Sequence, residues 1–423
     1  MPGPLLLSRR FAPLFACQFF SAFNDNFLKT ALVFLILFGA KQDSEALITL
    51  ASAIFIAPYF FLSGLGGELA DKNDKARVAQ RLKLAEIGVA AIATSGFLTA
   101  SIALLFVALA LFGVIAALFG PIKYGILPDH LARAELPAGN ALVEAATFIA
   151  ILTGTIVGGL AGSGILTCAL VIAFALLCWL SSLAIPPTGA GAPQLTVSWN
   201  VARSTAAMIR HLRADARLWW GAMVTSWFWT VGIVALALLP PLVKRLVGGD
   251  EDTVTAYLAL FSVAVGGGSA LAAIVARGRI RLGTTLAGAV LMGLFAFELG
   301  LVLNGAEPDQ ALRGPAEIFR TGLGLRAAFD LAGLAFAGGL FIVPAFAAVQ
   351  AWSDPAYRAR TVAAVNVLNA AFMTGATVLT ALAQKSGVGI AQIFMLIGAI
   401  GLLVAAAVWR TMPSGEAVTS SAV

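Results

Sequence analysis

Residues 17–39 read CQFFSAFNDNFLKTALVFLILFG, an apolar run interrupted by a few strongly polar side chains. A run of this length can cross a bilayer, because a helix of about 20 residues spans a hydrocarbon core ~30 Å thick. The rest of the chain is similar: 60% of its 423 residues are hydrophobic, 11% are charged, and the mean hydropathy is +0.93. A soluble domain carries about 25% charged residues. The sequence therefore excludes a water-soluble fold and predicts an all-α polytopic membrane protein.

Further apolar runs of membrane-spanning length follow the first. We predict twelve transmembrane helices, near residues 11–40, 45–70, 78–97, 100–121, 138–162, 165–185, 217–246, 254–276, 283–303, 325–349, 361–384 and 388–409. The longest polar interruption on the predicted inner side falls after the sixth span. We therefore predict an N-terminal six-helix half at 1–185, a cytoplasmic linker at 186–216 and a C-terminal six-helix half at 217–423.

The positive charges predict the orientation of the chain. Most of its 27 Lys and Arg residues lie in alternate loops, and Lys and Arg are retained on the cytoplasmic side of membranes. Both termini are therefore predicted to be cytoplasmic. The net charge of +6 reflects this topology and contact with anionic inner-leaflet lipid, and it does not indicate nucleic-acid binding.

Cysteines and histidines give no sign of metal or catalytic chemistry. Cys17, Cys168 and Cys178 all lie within predicted spans without metal-ligand spacing, which is typical of buried apolar thiols. The two histidines, His130 and His211, lack the spacing to an aspartate that acyltransferases use. We therefore predict no metal, no cofactor and no enzymatic activity.

The polar side chains of the first span fall on one helical face. Gln18, Ser21, Asp25 and Lys29 are spaced i, i+3, i+7 and i+11, and Asn24 and Asn26 lie beside them. Asp25 is predicted near mid-membrane, where a charge costs ~2.5 to 3.5 kcal/mol and usually faces a cavity or a partner. In one interpretation Asp25 and Lys29 form a structural ion pair. In the other, these residues bind substrate: Asp25 meets a cationic group, Lys29 meets a phosphate, and the asparagines donate hydrogen bonds.

Polar residues in other spans are secondary candidates for substrate contact. Asn140 and Glu144 lie one turn apart in the fifth span and suit a cytoplasmic gate or a lower substrate site. Glu298 in the ninth span lacks a partner nearby in the sequence, so we predict that it lines the pathway. Glu86 lies one turn beyond Lys83 and suggests a pair that snorkels to the inner surface.

The linker begins with PPTGAGAP, a flexible composition, and continues as SWNVARSTAAMIRHLRADAR. The second segment alternates apolar and basic residues at helical spacing, which is typical of an amphipathic helix at the inner interface. A solvated linker helix is the alternative interpretation.

The loop after the second span reads GGELADKNDKAR at 66–77 and resembles a motif of the major facilitator transporters. In that superfamily a glycine, an acidic residue and a basic cluster in this loop brace the two halves in one conformational state. The resemblance implies conformational coupling by Gly67, Asp71, Lys75 and Arg77. Asp74 occupies the position of the usual second glycine.

Several segments together resemble the lysophospholipid transporter (LplT-type) family of the major facilitators. They are QFFSAFNDNFLKTALVF in the first span, the 66–77 motif, GPIKYGIL at 120–127, AGNALVEAATFIAILTGTIVGG at 138–159 and GGLFIVPAFAAVQ at 338–350. Asp25 matches the acidic residue of the family's first helix. The arginine of its seventh helix would fall near Leu236, where the chain has no basic residue, and Lys29 is the candidate replacement.

The resemblance implies a multi-pass flippase of the bacterial inner membrane. It would move lysophospholipids, chiefly lysophosphatidylethanolamine, from the outer to the inner leaflet by alternating access, for reacylation by a cytoplasmic acyltransferase or acyl-ACP synthetase. Some relatives carry such a transporter half fused to these enzymes. We expect a monomer that contacts its lysophospholipid substrate and membrane lipids. The alternatives are a proton-coupled exporter of small amphiphilic solutes and a scaffold for the acyltransferase.

Overall fold

The structure, a computed structural model, describes residues 5–39, 44–161, 164–198, 200–306 and 312–412. Helices make up nearly all of the described chain. They are α1 Ala12–Gly39, α2 Ser44–Lys72, α3 Lys75–Leu98, α4 Ile102–Gly125, α5 Leu127–His130, α6 Leu136–Ala161, α7 Ile165–Leu183, α8 Val201–Ala214, α9 Ala216–Leu242, α10 Glu251–Ala276, α11 Leu282–Leu303, α12 Pro315–Ile318, α13 Gly322–Trp352, α14 Arg358–Lys385 and α15 Ile390–Thr411. The predicted all-α polytopic fold is confirmed.

Twelve of the helices in the described residues are long, and they match the predicted spans in order. Ten of these described helices are long and apolar enough to cross a membrane. Helices α1 and α3 carry charged residues within their length, Asp25 and Lys29 in α1 and Lys83 and Glu86 in α3. The predicted cytoplasmic location of the termini stays a prediction, and residues 1–4 and 413–423 lie outside the described residues.

The chain folds into two compact units. Unit 1 comprises Met1–Ala132, Ile149–Leu218 and Gln350–Ala370, and unit 2 comprises Arg133–Phe148, Trp219–Val349 and Ala371–Val423. The linker predicted at 186–216 therefore belongs to unit 1, together with the start of α14. The predicted boundaries of the two six-helix halves stay a prediction.

Glycines let the helices of unit 1 approach closely. A Cβ at Gly154 would lie 2.5 Å from the carbonyl oxygen of Phe23, and one at Gly158 would lie 2.6 Å from that of Phe27. Small residues at a helix contact are typical of membrane proteins, because packing replaces the hydrophobic effect as the driving force there. Helix α6 therefore holds α1, the helix with the polar stripe, at backbone distance. In unit 2, Gly300 lies equally close to the backbone of α15 at Ala391.

The linker is held against unit 1. Helix α8 is capped by the Asn200 side chain, which accepts a hydrogen bond from the backbone amide of Arg203. Its apolar stripe, including Met208 and Leu212, is buried, and Met208 lies beside Gly64 of α2. The apolar face is thus packed on α2 within unit 1, and the location of this helix at the inner interface stays a prediction.

Candidate functional site

The polar residues of α1 lie at different depths. Ser21 and Asn24 are buried, whereas Asp25, Asn26 and Lys29 are partly exposed. Neither Asp25 nor Lys29 takes part in a hydrogen bond or ion pair with any described residue. The Asp25–Lys29 ion pair of the structural interpretation is therefore not formed between these two described side chains. Within the described residues, the carboxylate and the amine are therefore candidates to bind a substrate.

The two asparagines beside Asp25 have different surroundings. Asn24 is fully buried, and its side-chain amide donates to the carbonyl oxygen of Val171 on α7 at 3.2 Å. Asn26 is partly exposed, and its amide donates to the carbonyl oxygen of Ala22 within α1 at 2.8 Å. Asn24 therefore fastens α1 to α7, and Asn26 is the asparagine that a ligand could reach.

A buried ion pair on α3 lies against the polar stripe of α1. The Lys83 amine donates to Glu86 Oε2 and to Ser21 Oγ, at 2.6 Å each, and lies 4.3 Å from the centroid of the Phe119 ring. The side chains of Lys83 and Glu86 are 0% and 1% exposed. The prediction that this pair snorkels to the surface is therefore wrong, because both charges are enclosed among α1, α3 and α4.

The two candidates in the predicted fifth span are buried in unit 2. Asn140 is fully buried and its amide donates to the carbonyl oxygen of Leu136 at 2.9 Å, within α6. Glu144 follows one turn later with its side chain buried as well. Burial of a carboxylate at this position is compatible with a gate, and the gate role of both residues stays a prediction.

Glu298 lies on an exposed face of unit 2, not in an enclosed polar site. Its carboxylate pairs with Arg326 of α13, and the two side chains are 40% and 48% exposed. Leu294 and Leu301 on the same side of α11 are exposed too. Arg326 also lies 3.7 Å from the buried carboxylate of Asp330. The sequence could not show this arrangement, because Arg326 follows a long loop.

We expect Glu298→Gln to leave substrate transport within about twofold of wild type, because its side chain shares an exposed face of α11 with Leu294 and Leu301. Transport rates of the reconstituted variant and of Arg326→Gln provide the measurement. The pathway role of Glu298 stays a prediction, and a tenfold or greater loss in Glu298→Gln alone would support it.

Asp71, at the end of α2, binds the start of α14. Its carboxylate accepts hydrogen bonds from the backbone amides of Ala359 and Arg360, at 2.9 and 3.1 Å. The Arg360 guanidinium pairs with the same carboxylate at 2.9 Å. Gly67 makes this approach possible, since a Cβ there would lie 2.7 Å from the Cβ of Ala363. Asp71 thus caps the N-terminus of α14 and also forms an ion pair with Arg360.

A second ion-pair cluster lies beside the first. Lys75 and Arg358 both pair with the carboxylate of Asp129, at 2.9 and 2.7 Å. The side chain of Arg77 is exposed and forms no ion pair with a described residue. The structure therefore brings together three of the four predicted coupling residues, Gly67, Asp71 and Lys75, and leaves Arg77 outside. We call the Asp71–Arg360 and Lys75–Asp129–Arg358 contacts the latch.

The linker is hydrogen-bonded to the same region. Asp74 caps α3 and its second carboxylate oxygen accepts from the backbone amides of Thr188 and Gly189, at 3.1 and 2.9 Å. Glu68 accepts from Ser198 N at 2.6 Å and from the Ser204 hydroxyl. Asp74, at the position of the usual second glycine of the motif, therefore joins α3 to the linker.

Aromatic stacking extends the latch to α8. The rings of His211 and Tyr357 have centroids 3.9 Å apart, and Arg360 lies 3.8 Å from the centroid of Tyr357. Burial raises the pKa of the Tyr357 hydroxyl, while the neighbouring Arg360 acts in the opposite direction. The phenol therefore stays neutral near pH 7 and can stack on both neighbours.

Sequence reasoning missed the latch partners Asp129, Arg358, Arg360 and Tyr357. The two arginines belong to RARTV, just before and at the start of the predicted eleventh span, where they add to the positive charge of a predicted inner loop. Their pairing with Asp71 and Asp129 depends on residues more than 200 positions away in the chain, and no local spacing reveals such contacts.

Comparison with known proteins shows what this chain is similar to. The family model described as Major Facilitator Superfamily matches residues 14–306. Proteins named lysophospholipid transporter LplT from Yersinia pestis (strain Pestoides F) and from Yersinia pseudotuberculosis serotype O:3 (strain YPIII) are each 31% identical over 280 residues. The alignment covers 63% of this chain and 65% of each relative, so the chain matches just under two thirds of their length.

Solved structures agree on the fold. The human organic anion transporter MFSD10 aligns with a TM-score of 0.72 at 14% sequence identity, covering 94% of this chain and 98% of that protein. The fucose:proton symporter FucP of E. coli aligns with a TM-score of 0.67 at 13% identity, covering 96% and 98%. At such low identities the likeness concerns the fold alone. With the spans described above, the comparisons indicate a multi-pass membrane transporter.

Proposed function

Because the chain belongs to the Major Facilitator Superfamily, we propose that it transports lysophospholipid, chiefly lysophosphatidylethanolamine, from the outer to the inner leaflet of a bacterial inner membrane. The names of its 31% identical relatives support the substrate class. The observation that carries the proposal is Asp25, a partly exposed carboxylate on α1 that no described residue pairs with.

The α1 side chains suit a zwitterionic headgroup. A carboxylate at Asp25 would bind the ammonium of ethanolamine, and the Lys29 amine, one turn further along α1, would bind the phosphate through charge-assisted hydrogen bonds. Asn26 is partly exposed beside them and offers an amide for the glycerol hydroxyl or ester oxygens. Asn24 does not face the headgroup; its hydrogen bond to Val171 holds α1 against α7.

Movement of the substrate would follow from making and breaking the latch. In the proposed alternating-access cycle, the contacts of Asp71 with α14 hold one state, and their release permits the other. The buried Asp71 carboxylate is suited to such a switch, because breaking its hydrogen bonds and ion pair has a free-energy cost. That cost must be offset by other contacts in the second state, so the two states are distinct. We further propose that the protein acts as a monomer and that a cytoplasmic acyltransferase reacylates the delivered lipid.

The test is translocation of fluorescent lysophosphatidylethanolamine by the purified protein in liposomes. We expect translocation without an imposed ion gradient, because the latch and the α1 charges provide substrate binding and a conformational switch without a coupling ion. Protein-free vesicles and vesicles with a double-chain phosphatidylethanolamine analogue are the controls. Absence of activity above those controls would contradict the proposed function, and strict dependence on a proton gradient would favour the proton-coupled exporter.

A further inference from the structure

The buried Lys83–Glu86 pair has features that a structural role alone does not explain. Replacing such a pair by apolar residues is often neutral or stabilising, because desolvation of two charges offsets their attraction. The pair is also incompletely satisfied: Glu86 Oε1 is buried and has no hydrogen-bond partner among the described residues. A buried carboxylate oxygen without a hydrogen-bond partner lowers the stability of the fold. The charge of Glu86 is therefore expected to serve a purpose other than stability.

The pair acts electrostatically on Asp25, the carboxylate of the proposed headgroup site. Lys83, which holds Glu86, donates to Ser21 on α1, and Ser21 lies one turn before Asp25. The side chains of Asp25 and Lys29 on α1 and of Lys83 and Glu86 on α3 thus lie along one stretch of α1. Inside a protein such charges are poorly screened, so removing one changes the potential that a bound headgroup meets.

We propose that Glu86 is a positioning residue that sets the charge preference of the headgroup site. Its carboxylate, held beside α1 by Lys83, offsets part of the positive potential that a lysophospholipid meets at Asp25 and Lys29. The site thereby accepts zwitterionic lysolipids and does not strongly favour anionic ones. This inference rests on the proposed function and adds a determinant of headgroup selectivity.

The test measures the transport rates of two lysolipids with the same acyl chain in the same proteoliposomes. One is zwitterionic lysophosphatidylethanolamine and the other is anionic lysophosphatidylglycerol. Glu86→Gln is expected to raise the ratio of anionic to zwitterionic transport by about tenfold, equivalent to ~1.4 kcal/mol. Lys83→Met should lower the ratio by a similar factor. The double variant Lys83→Met/Glu86→Gln keeps the same formal charge as wild type, so its ratio should return to within about twofold of wild type.

The ratio separates an electrostatic role from a structural one, since loss of folded protein lowers both rates equally. Glu86→Asp keeps the charge and should keep the ratio even if both rates fall. If Glu86→Gln does not fold, Lys83→Met provides the shift in the opposite direction. A ratio that stays constant in every folded single variant overturns this inference and leaves lysolipid transport standing. If the wild-type protein translocates neither lysolipid, the proposed function fails and this inference fails with it.

Discussion

Asp25→Ala is expected to abolish lysophospholipid transport, with a loss of at least about a hundredfold, while the protein still inserts and folds. The reason is that Asp25 is a partly exposed carboxylate of α1 that forms no hydrogen bond or ion pair with a described residue, so its removal takes away the proposed ammonium ligand without breaking such a bond. Insertion should improve by ~2 to 3 kcal/mol, because a charge leaves the membrane span. Transport in liposomes and the melting temperature in detergent are the two measurements.

The neighbouring residue supplies a matched control. Asn24 is buried and bonds to Val171, so Asn24→Ala should cost about 1 kcal/mol of stability. We expect this variant to melt earlier and to retain transport at a temperature where it is folded. The opposite pattern, an unfolded Asp25→Ala and a fully stable but inactive Asn24→Ala, would show that Asp25 is structural and that Asn24 binds the substrate.

Much of the fold was predictable because membrane spans have a strong local signature. The apolar run at 17–39 and its successors predict helices in the positions where the structure has them, since lipid forces the backbone to satisfy its hydrogen bonds within each helix. The polar stripe of α1 was visible for the same reason: its residues repeat at helical spacing. The difference in exposure between Asn24 and Asn26 was not visible, because it depends on α7.

The charged contacts were harder to predict than the helices. Lys83 and Glu86 are one turn apart, so their pairing was expected, but their depth depends on α1 and α4 closing over them. Arg77 lies in the motif and Arg360 lies outside it, yet Arg360 is the residue that Asp71 binds. Sequence spacing identifies which charges are unusual, and only the packed helices decide which charges meet.

Asp71→Asn is expected to slow transport by roughly a hundredfold, because it weakens the largest contact of the latch. The buried Asp71 carboxylate accepts from two backbone amides and from Arg360. Removing one partner of a buried ion pair costs about 3 to 5 kcal/mol. In a background lacking the three native cysteines, Thr361→Cys, which is buried on α14, reports opening of this contact by its rate of reaction with a membrane-impermeant maleimide. That rate should rise together with the loss of transport.

The geometry of the latch predicts a graded series of effects. Arg360→Ala removes the ion pair but leaves Asp71 capping α14 through Ala359, so its effect should be smaller, about tenfold. Arg77→Ala should stay within about twofold, since the Arg77 side chain is exposed and lies outside the latch. An equally large defect in Arg77→Ala would mean that the motif acts through its basic cluster. A small defect in Asp71→Asn, with unchanged maleimide reactivity at residue 361, would mean that the Asp71 contacts do not control the transport cycle.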